Sequence, residues 1–173
     1  MIRVASQLTF CSPTQILRNA VVEFNEQLTI TNLFSLDDGY VESAHTLFYD
    51  GIISAEIISL KESTVNLKEL FSSYNYIDFS QQPINIAASN KPLILDFGSS
   101  SIVEINKKIN QFAVVLKAFS IMEIIAACCY FPVKVLGEFN GLSVGGRTGL
   151  VLWEGVDLVN KQITEQTRIR KIS

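Results

Sequence analysis

Few side chains in this chain are of a type and spacing that could do chemistry, and each has a bland reading beside the chemical one. His45, in VESAHTLFY, is the single histidine; with no second nitrogen or sulfur ligand near it in sequence it reads as a surface or strand-edge residue rather than half of a metal site. Cys128 and Cys129 are adjacent and could suggest a soft-metal or redox pair. Set within an apolar helix, they read as small packing residues whose side chains point apart. Asp37 with Asp38, and Glu62 beside Lys61, could act as acid and base, but they read as a turn and a solvated strand end. Gly145-Gly146-Arg147 lacks the following G-K-[ST] and helix of a phosphate loop, so it reads as a turn. Ser99 to Ser101 precede a helix start, which reads as a solvated cap.

Elements that must position these residues follow from periodicity. Arg3 to Phe10, Ala20 to Phe24 and Thr29 to Phe34 read as strands of a meander, and Asp37-Asp38-Gly39 as a turn. Leu47 to Tyr49 and Ile52 to Leu60 read as two further strands separated by an Asp50-Gly51 turn. Thr64 to Phe71 fits a short helix, and Ser72 to Asn90 a polar, mobile loop. Leu93 to Leu95 is a short strand. Ser101 with Glu104 and Ser120 with Glu123 have capping-box spacing, so two helices start there. Ile105, Ile109, Phe112 and Leu116 form one apolar stripe; Ile121 to Phe131 is apolar nearly all round and needs cover on several sides. Pro132 fits the first turn of a continuation that Gly137 ends. Leu142 to Val144 and Leu150 to Trp153 read as strands joined by the Gly145-Gly146 turn, and Thr167 to Ile172 as a last strand, whose basic residues discourage further pairing.

Composition bounds the rest. With 173 residues, 48% hydrophobic and 18% charged, the chain is expected to form one compact domain. A net charge of -3 offers no broad cationic surface, so no nucleic-acid partner is expected. Three cysteines, two adjacent, make a disulfide framework unlikely on spacing, and no apolar run reaches the roughly 20 residues that span a bilayer, so the expectation is no membrane segment. No secretory pattern follows the first arginine; the expected location is cytoplasmic.

The order of these elements resembles the metal-dependent hydrolases of the amidohydrolase superfamily, near their deaminase and chlorohydrolase branch. RVASQLTF, ILRNAVVEFNEQLTITNL and LFYDGII look like the N-terminal strands of that family's composite β-sandwich. SIMEIIAACCYFPVKVLGEFNGLSVGGRTGLVLWEGVDL looks like its last barrel helix and returning strands. The resemblance implies an α+β fold: residues 1–60 as N-terminal sandwich strands, 61–137 as a barrel remnant with two or three packed helices, and 138–173 as C-terminal sandwich strands. It implies no complete TIM barrel, because a barrel takes about 250 residues and only Thr64 to Lys91 separates the two blocks.

Where the family carries its H-x-H metal pair, this chain has Lys61 and Ser63, and where it carries a metal-binding aspartate, Gly98. An ammonium repels a divalent cation and a hydroxyl is a poor substitute for imidazole. Asp96, two residues before Gly98, shares its strand face and is the weak substitute, with His45, if a site exists. Leu28 stands where the family has a turn glycine. The expectation is a pseudoenzyme with no catalytic residues, no metal and no cofactor, acting as an interaction or binding module. The alternative is a metal-dependent hydrolase of C–N bonds with a rebuilt or partner-supplied site. A shortened barrel would leave apolar faces to cover, so either the helices fold back over the sandwich or a second copy covers them, and a homodimer is expected; a protein partner or a small apolar ligand could be bound as well.

Overall fold

The computed structural model describes residues 2–39, 45–60, 70, 72–79, 91–98, 100–137 and 142–172. It is an α+β fold built on a six-stranded sheet in the order β3-β2-β1-β4-β7-β8, with a second, two-stranded sheet of β5 and β6. The strands are β1 (Ile2–Ser12), β2 (Gln15–Phe24), β3 (Ile30–Ser35), β4 (Thr46–Ala55), β5 (Asn75–Asp78), β6 (Leu93–Asp96), β7 (Leu150–Glu154) and β8 (Arg168–Lys171). No closed barrel is present among the described residues.

β1 and β2 form a hairpin, β3 adds antiparallel to β2, and the chain then crosses back so that β4 lies parallel to β1. β7 and β8 return antiparallel on the far side of β4. Ile52, Ile53, Leu150, Val151, Leu152 and Trp153 are consecutive and fully buried, as apolar runs are when a sheet is covered on both faces. β8 is an edge strand, as its basic residues predict. Its buried Ile169 has both backbone groups occupied by Asn106, whose side-chain amide donates to the Ile169 carbonyl at 2.8 Å and accepts from its N–H at 2.7 Å.

The helices are α1 (Ile102–Gln111), α2 (Ala113–Leu116), α3 (Ile121–Ile125) and α4 (Phe131–Val135), the last two joined by a π-helical turn, Ala126–Tyr130. Both expected capping boxes are formed: Ser101 and Ser120 accept from the N–H of Glu104 and Glu123, whose carboxylates reach back to the serine N–H groups. Ile105, Ile109 and Leu116 are buried along the expected stripe, which bends at Phe112 where α1 gives way to α2. Gly137 takes the left-handed angle, φ 73°, just past α4. The α3 and π-turn residues Ile121, Ile124, Ile125, Ala127 and Cys128 share one buried cluster with Ile52, Ile53 and Leu95, so this chain's own sheets cover the apolar helix.

Three local expectations are corrected. Leu47 to Tyr49 and Ile52 to Leu60 are not two strands: Thr46 to Ala55 is one, and Asp50-Gly51 is a bulge within it, where the register with β1 passes from Ser6–Tyr49 to Leu8–Ile52. Glycine is required there because a Cβ on Gly51 would lie 2.2 Å from the Trp153 carbonyl oxygen at a φ of 136°. The Gly145-Gly146 turn exists, with the Gly146 N–H bonded to the Ser143 carbonyl, but it does not pair Leu142 to Val144 with β7. Both edges of β7 are taken by β4 and β8, and the turn pairs with Leu28 to Ile30 instead: Ile30 N–H donates to Gly146 O and Gly145 N–H to Ile30 O, each at 2.8 Å. The stretch read as a polar loop contains β5, because β6 offers it a parallel partner. Leu28 holds the left-handed angle, φ 58°, that a glycine would adopt freely. Of the helix expected at Thr64 to Phe71, Leu70 is helical and the other positions lie outside the described residues.

Candidate functional site

Among the described residues the most densely bonded buried polar group is the carboxylate of Asp96, at the C-terminal end of β6 and 0% exposed. Parallel pairing sets Asp78, at the end of β5, beside it in register. One carboxylate oxygen accepts from Ser59 Oγ at 3.0 Å and from the Gly98 N–H at 2.8 Å. The other accepts from the Leu60 N–H at 3.2 Å and from the Tyr76 hydroxyl at 2.7 Å. Those four bonds fasten three segments to one side chain: the exit from β4, strand β5, and the loop from β6 to α1.

Local sequence makes this arrangement possible. The Gly98 N–H turns back onto Asp96 two residues earlier, as in an Asx turn, and Gly98 itself takes φ 64°, the left-handed region glycine adopts freely. Beyond it, Lys108 of α1 donates to the Phe97 carbonyl at 2.9 Å and to Ser100 Oγ at 2.6 Å, and Phe97 stacks on Phe79 at 4.9 Å. Burial, then the hydrogen bond to Asp96 and the charges of Asp96 and Asp78, push the Tyr76 phenol far above the ordinary tyrosine range. Tyr76 therefore stays a donor to the carboxylate through the alkaline range.

Chemically, this is a committed carboxylate. An ionised Asp has about four acceptor positions, and here each oxygen already receives two hydrogen bonds. Two of the donors are backbone N–H groups, which have no lone pair to offer a cation. Among the described residues no group of three or more His, Cys, Asp or Glu is placed to hold a metal ion. Gly98, where the resemblance expects an aspartate, has no side chain, and Lys61 and Ser63 lie outside the described residues. The residues present around Asp96 do not fit the divalent metal that the resemblance implies, because a metal there would have to displace bonds that hold the fold.

Other residues singled out in the sequence stand apart from Asp96. His45 is exposed at the start of β4, with φ 69°, whereas Ser59 and Leu60 follow the end of that ten-residue strand; a strand of that length spans about 30 Å. The two residues are not brought together. Asp37 lies in a 3-10 turn, Leu36–Asp38, and accepts from Asn19. At the N-terminus of α1 the Ser101 N–H donates to the Glu104 carboxylate and the Glu104 N–H to Ser101 Oγ, as a capping box. Glu62 and Ser99 lie outside the described residues.

Cys128 and Cys129 are buried in the π turn. Trp153 Nε1 donates to Ser54 Oγ at 3.0 Å, and that oxygen lies 3.6 Å from Cys129 Sγ. Burial pushes Cys11 up to about 11 and Cys129 to about 12, and Cys128 well above the ordinary thiol range. Unfolded thiols ionise near pH ~8.5, so above that pH the folded chain retains protons the unfolded chain has lost, and stability falls as pH rises. Each such thiol contributes a slope of roughly 1.4 kcal/mol per pH unit up to its folded value. Urea denaturation is expected to show a clearly lower midpoint at pH 10 than at pH 8, with a shallower drop in a Cys128→Ala, Cys129→Ala variant; equal midpoints would contradict the assignment.

Sequence reasoning reached Asp96 but missed Tyr76, Ser59 and the Ser54–Trp153 pair. The adjacent strand formers Tyr76 and Ile77 in Asn75–Asp78 were the available signal, and the run is too short to stand out from a polar stretch. A surface depression of 650 Å³ lies between Lys117 and the segments 155–157 and 162–166, and Asp96 does not line it.

No protein-family model matches this chain, and no curated protein matches it. Among solved structures it is similar to two of N-acetyl-D-glucosamine-6-phosphate deacetylase from Mycobacterium smegmatis, an amidohydrolase superfamily member; one is of a point mutant in complex with N-acetyl-D-glucosamine-6-phosphate. Each alignment has 8% identity and a TM-score of 0.27, covers 68% of this chain, and leaves it spanning 30% of the deacetylase's length. Similarity at that level assigns neither activity nor ligand. No helix among the described residues is long and apolar enough to cross a membrane.

Proposed function

We propose that this chain is a degenerate, non-catalytic amidohydrolase-like protein that acts as an interaction module. The observation supporting this most is the Asp96 carboxylate, the residue nearest the family's catalytic aspartate, which spends its acceptor capacity on Ser59, Leu60, Tyr76 and Gly98. A group committed in that way has no lone pair left for a metal and no open path to a substrate proton. Hydrolysis of N-acetyl sugars and simple amides is expected to stay at background with zinc or manganese added. Metal-dependent turnover lost in Asp96→Asn would instead favour a hydrolase of C–N bonds.

The partner proposed is a second copy of the chain. β7 pairs with β4 only from Ile52 to Ala55, and Leu47 and Phe48, on the part of β4 before the bulge, are 55% and 54% exposed. Two copies that meet over this stretch of the sheet edge would bury that apolar pair. Light scattering after size exclusion is expected to give twice the 19.3 kDa chain mass, and a Leu47→Glu, Phe48→Glu variant a single chain. A monomer at high concentration would remove the dimer.

A further inference from the structure

The helical segment from α3 to α4 changes its hydrogen-bonding step at one place, and Pro132 explains where. In an α-helix the Cys128 carbonyl would accept from the N–H four residues on, but that residue is Pro132, which has no N–H and whose ring crowds the carbonyl. The helix opens by one residue instead: the Phe131 N–H bonds to the Ala126 carbonyl, five residues back. The Cys128 carbonyl, turned out of the ladder, accepts from the Ile58 N–H at 3.2 Å.

Ile58 belongs to the segment leaving β4. Two residues earlier the Glu56 N–H is held by Gly149 O at 2.9 Å, and the next two residues, Ser59 and Leu60, are donors to Asp96. The Cys128–Ile58 bond is therefore the point where the helix fixes the path of the chain into the Asp96 cluster. The π turn packs against β6, the strand that carries Asp96, so both sides of the connection meet the same element.

We propose that Pro132 is a positioning residue: by forcing the π turn it releases the Cys128 carbonyl to latch Ile58, so that the helix step and the Asp96 bonds to Ser59 and Leu60 form and open as one unit. This rests on reading Asp96 as a structural clamp. With an N–H at position 132 the helix can close as a regular α-helix, the carbonyl returns to the ladder, and the Ile58 amide loses its acceptor.

Amide hydrogen exchange followed by NMR tests this. In the wild-type protein, Ile58, Leu60 and Gly98 are expected to exchange through one opening with a common dependence on urea. In Pro132→Ala the Ile58 amide is expected to exchange about tenfold faster or more, as for loss of one hydrogen bond, with Leu60 following and Val22 in β2 unchanged. Unchanged protection of Ile58 in Pro132→Ala would overturn the latch. Should that variant not fold, the wild-type urea dependence decides alone, since Ile58 opening separately from Leu60 overturns the proposal. Protection of Leu60 that survives in Asp96→Asn while Ile58 still responds to Pro132→Ala would sink the clamp and leave the latch standing.

Discussion

Asp96→Asn is expected to lower the free energy of unfolding by about 3 kcal/mol or more, read as a fall in urea midpoint without a change in slope. The amide keeps one acceptor oxygen and turns an NH2 group toward two donors. The hydroxyls of Ser59 and Tyr76 can rotate to accept, but the N–H groups of Leu60 and Gly98 cannot. Because each carboxylate oxygen receives one of these backbone donors, either orientation of the amide leaves a backbone N–H facing a donor in a buried site. Tyr76 supplies an independent signal: its phenol is expected to titrate at lower pH in the variant, because the hydrogen bond and the charge of Asp96 both raise it, while burial remains. A variant within 0.5 kcal/mol of wild type, with Tyr76 unmoved, would mean that the four bonds add nothing net.

The second large effect is at Gly51. Alanine there sets its Cβ 2.2 Å from the Trp153 carbonyl oxygen and 3.1 Å from its carbon, both backbone atoms, at a φ of 136°. The contact cannot be relieved by rotating a side chain, so β4 and β7 must separate where Ile52 meets Trp153. The cost is expected at roughly 3 kcal/mol or more, strain and lost pairing together. Trp153 is the protein's single tryptophan and is fully buried, so its fluorescence reports the same event. A red-shifted emission and a lower midpoint are expected; wild-type emission with a wild-type midpoint would show that the bulge can be rebuilt without glycine.

Those two sites show what the sequence could and could not convey. Signals that depend on near neighbours were readable: both capping boxes, the Ile105 to Leu116 stripe, Gly137 at the end of α4, and the edge position of β8. Gly51 was visible as a glycine that matters but was read as a turn, because Asp-Gly is a turn signal locally and the Trp153 carbonyl that requires it lies a hundred residues away in sequence. β5 was hidden for a similar reason. In Asn75 to Asp78 the strand formers Tyr76 and Ile77 are flanked by Asn and Asp, too short a run to stand out, and β6 gives it a pairing partner that only the folded chain provides. A freed Cys128 carbonyl could have been anticipated from Pro132 alone, since a proline inside a helical run removes the N–H that would bond the carbonyl four residues back; the π turn and what receives that carbonyl could not.

For Asp96 the sequence supplied the position and not the role. A carboxylate at a strand end beside a glycine is compatible with a metal ligand, a proton carrier or a turn former. The choice turns on how many donors surround it, and those come from three separated segments. Ser59 and Leu60 follow β4, Tyr76 lies in a strand the periodicity does not reveal, and only Gly98 is local.

Elemental mass spectrometry on protein purified without chelator, run beside Asp96→Asn, meets the central claim most directly. An aspartate whose lone pairs are held by the fold predicts far less than one zinc, iron or manganese per chain, and the same trace level in the variant. One tightly held transition-metal ion per chain that disappears with the Asp96 carboxylate would contradict it.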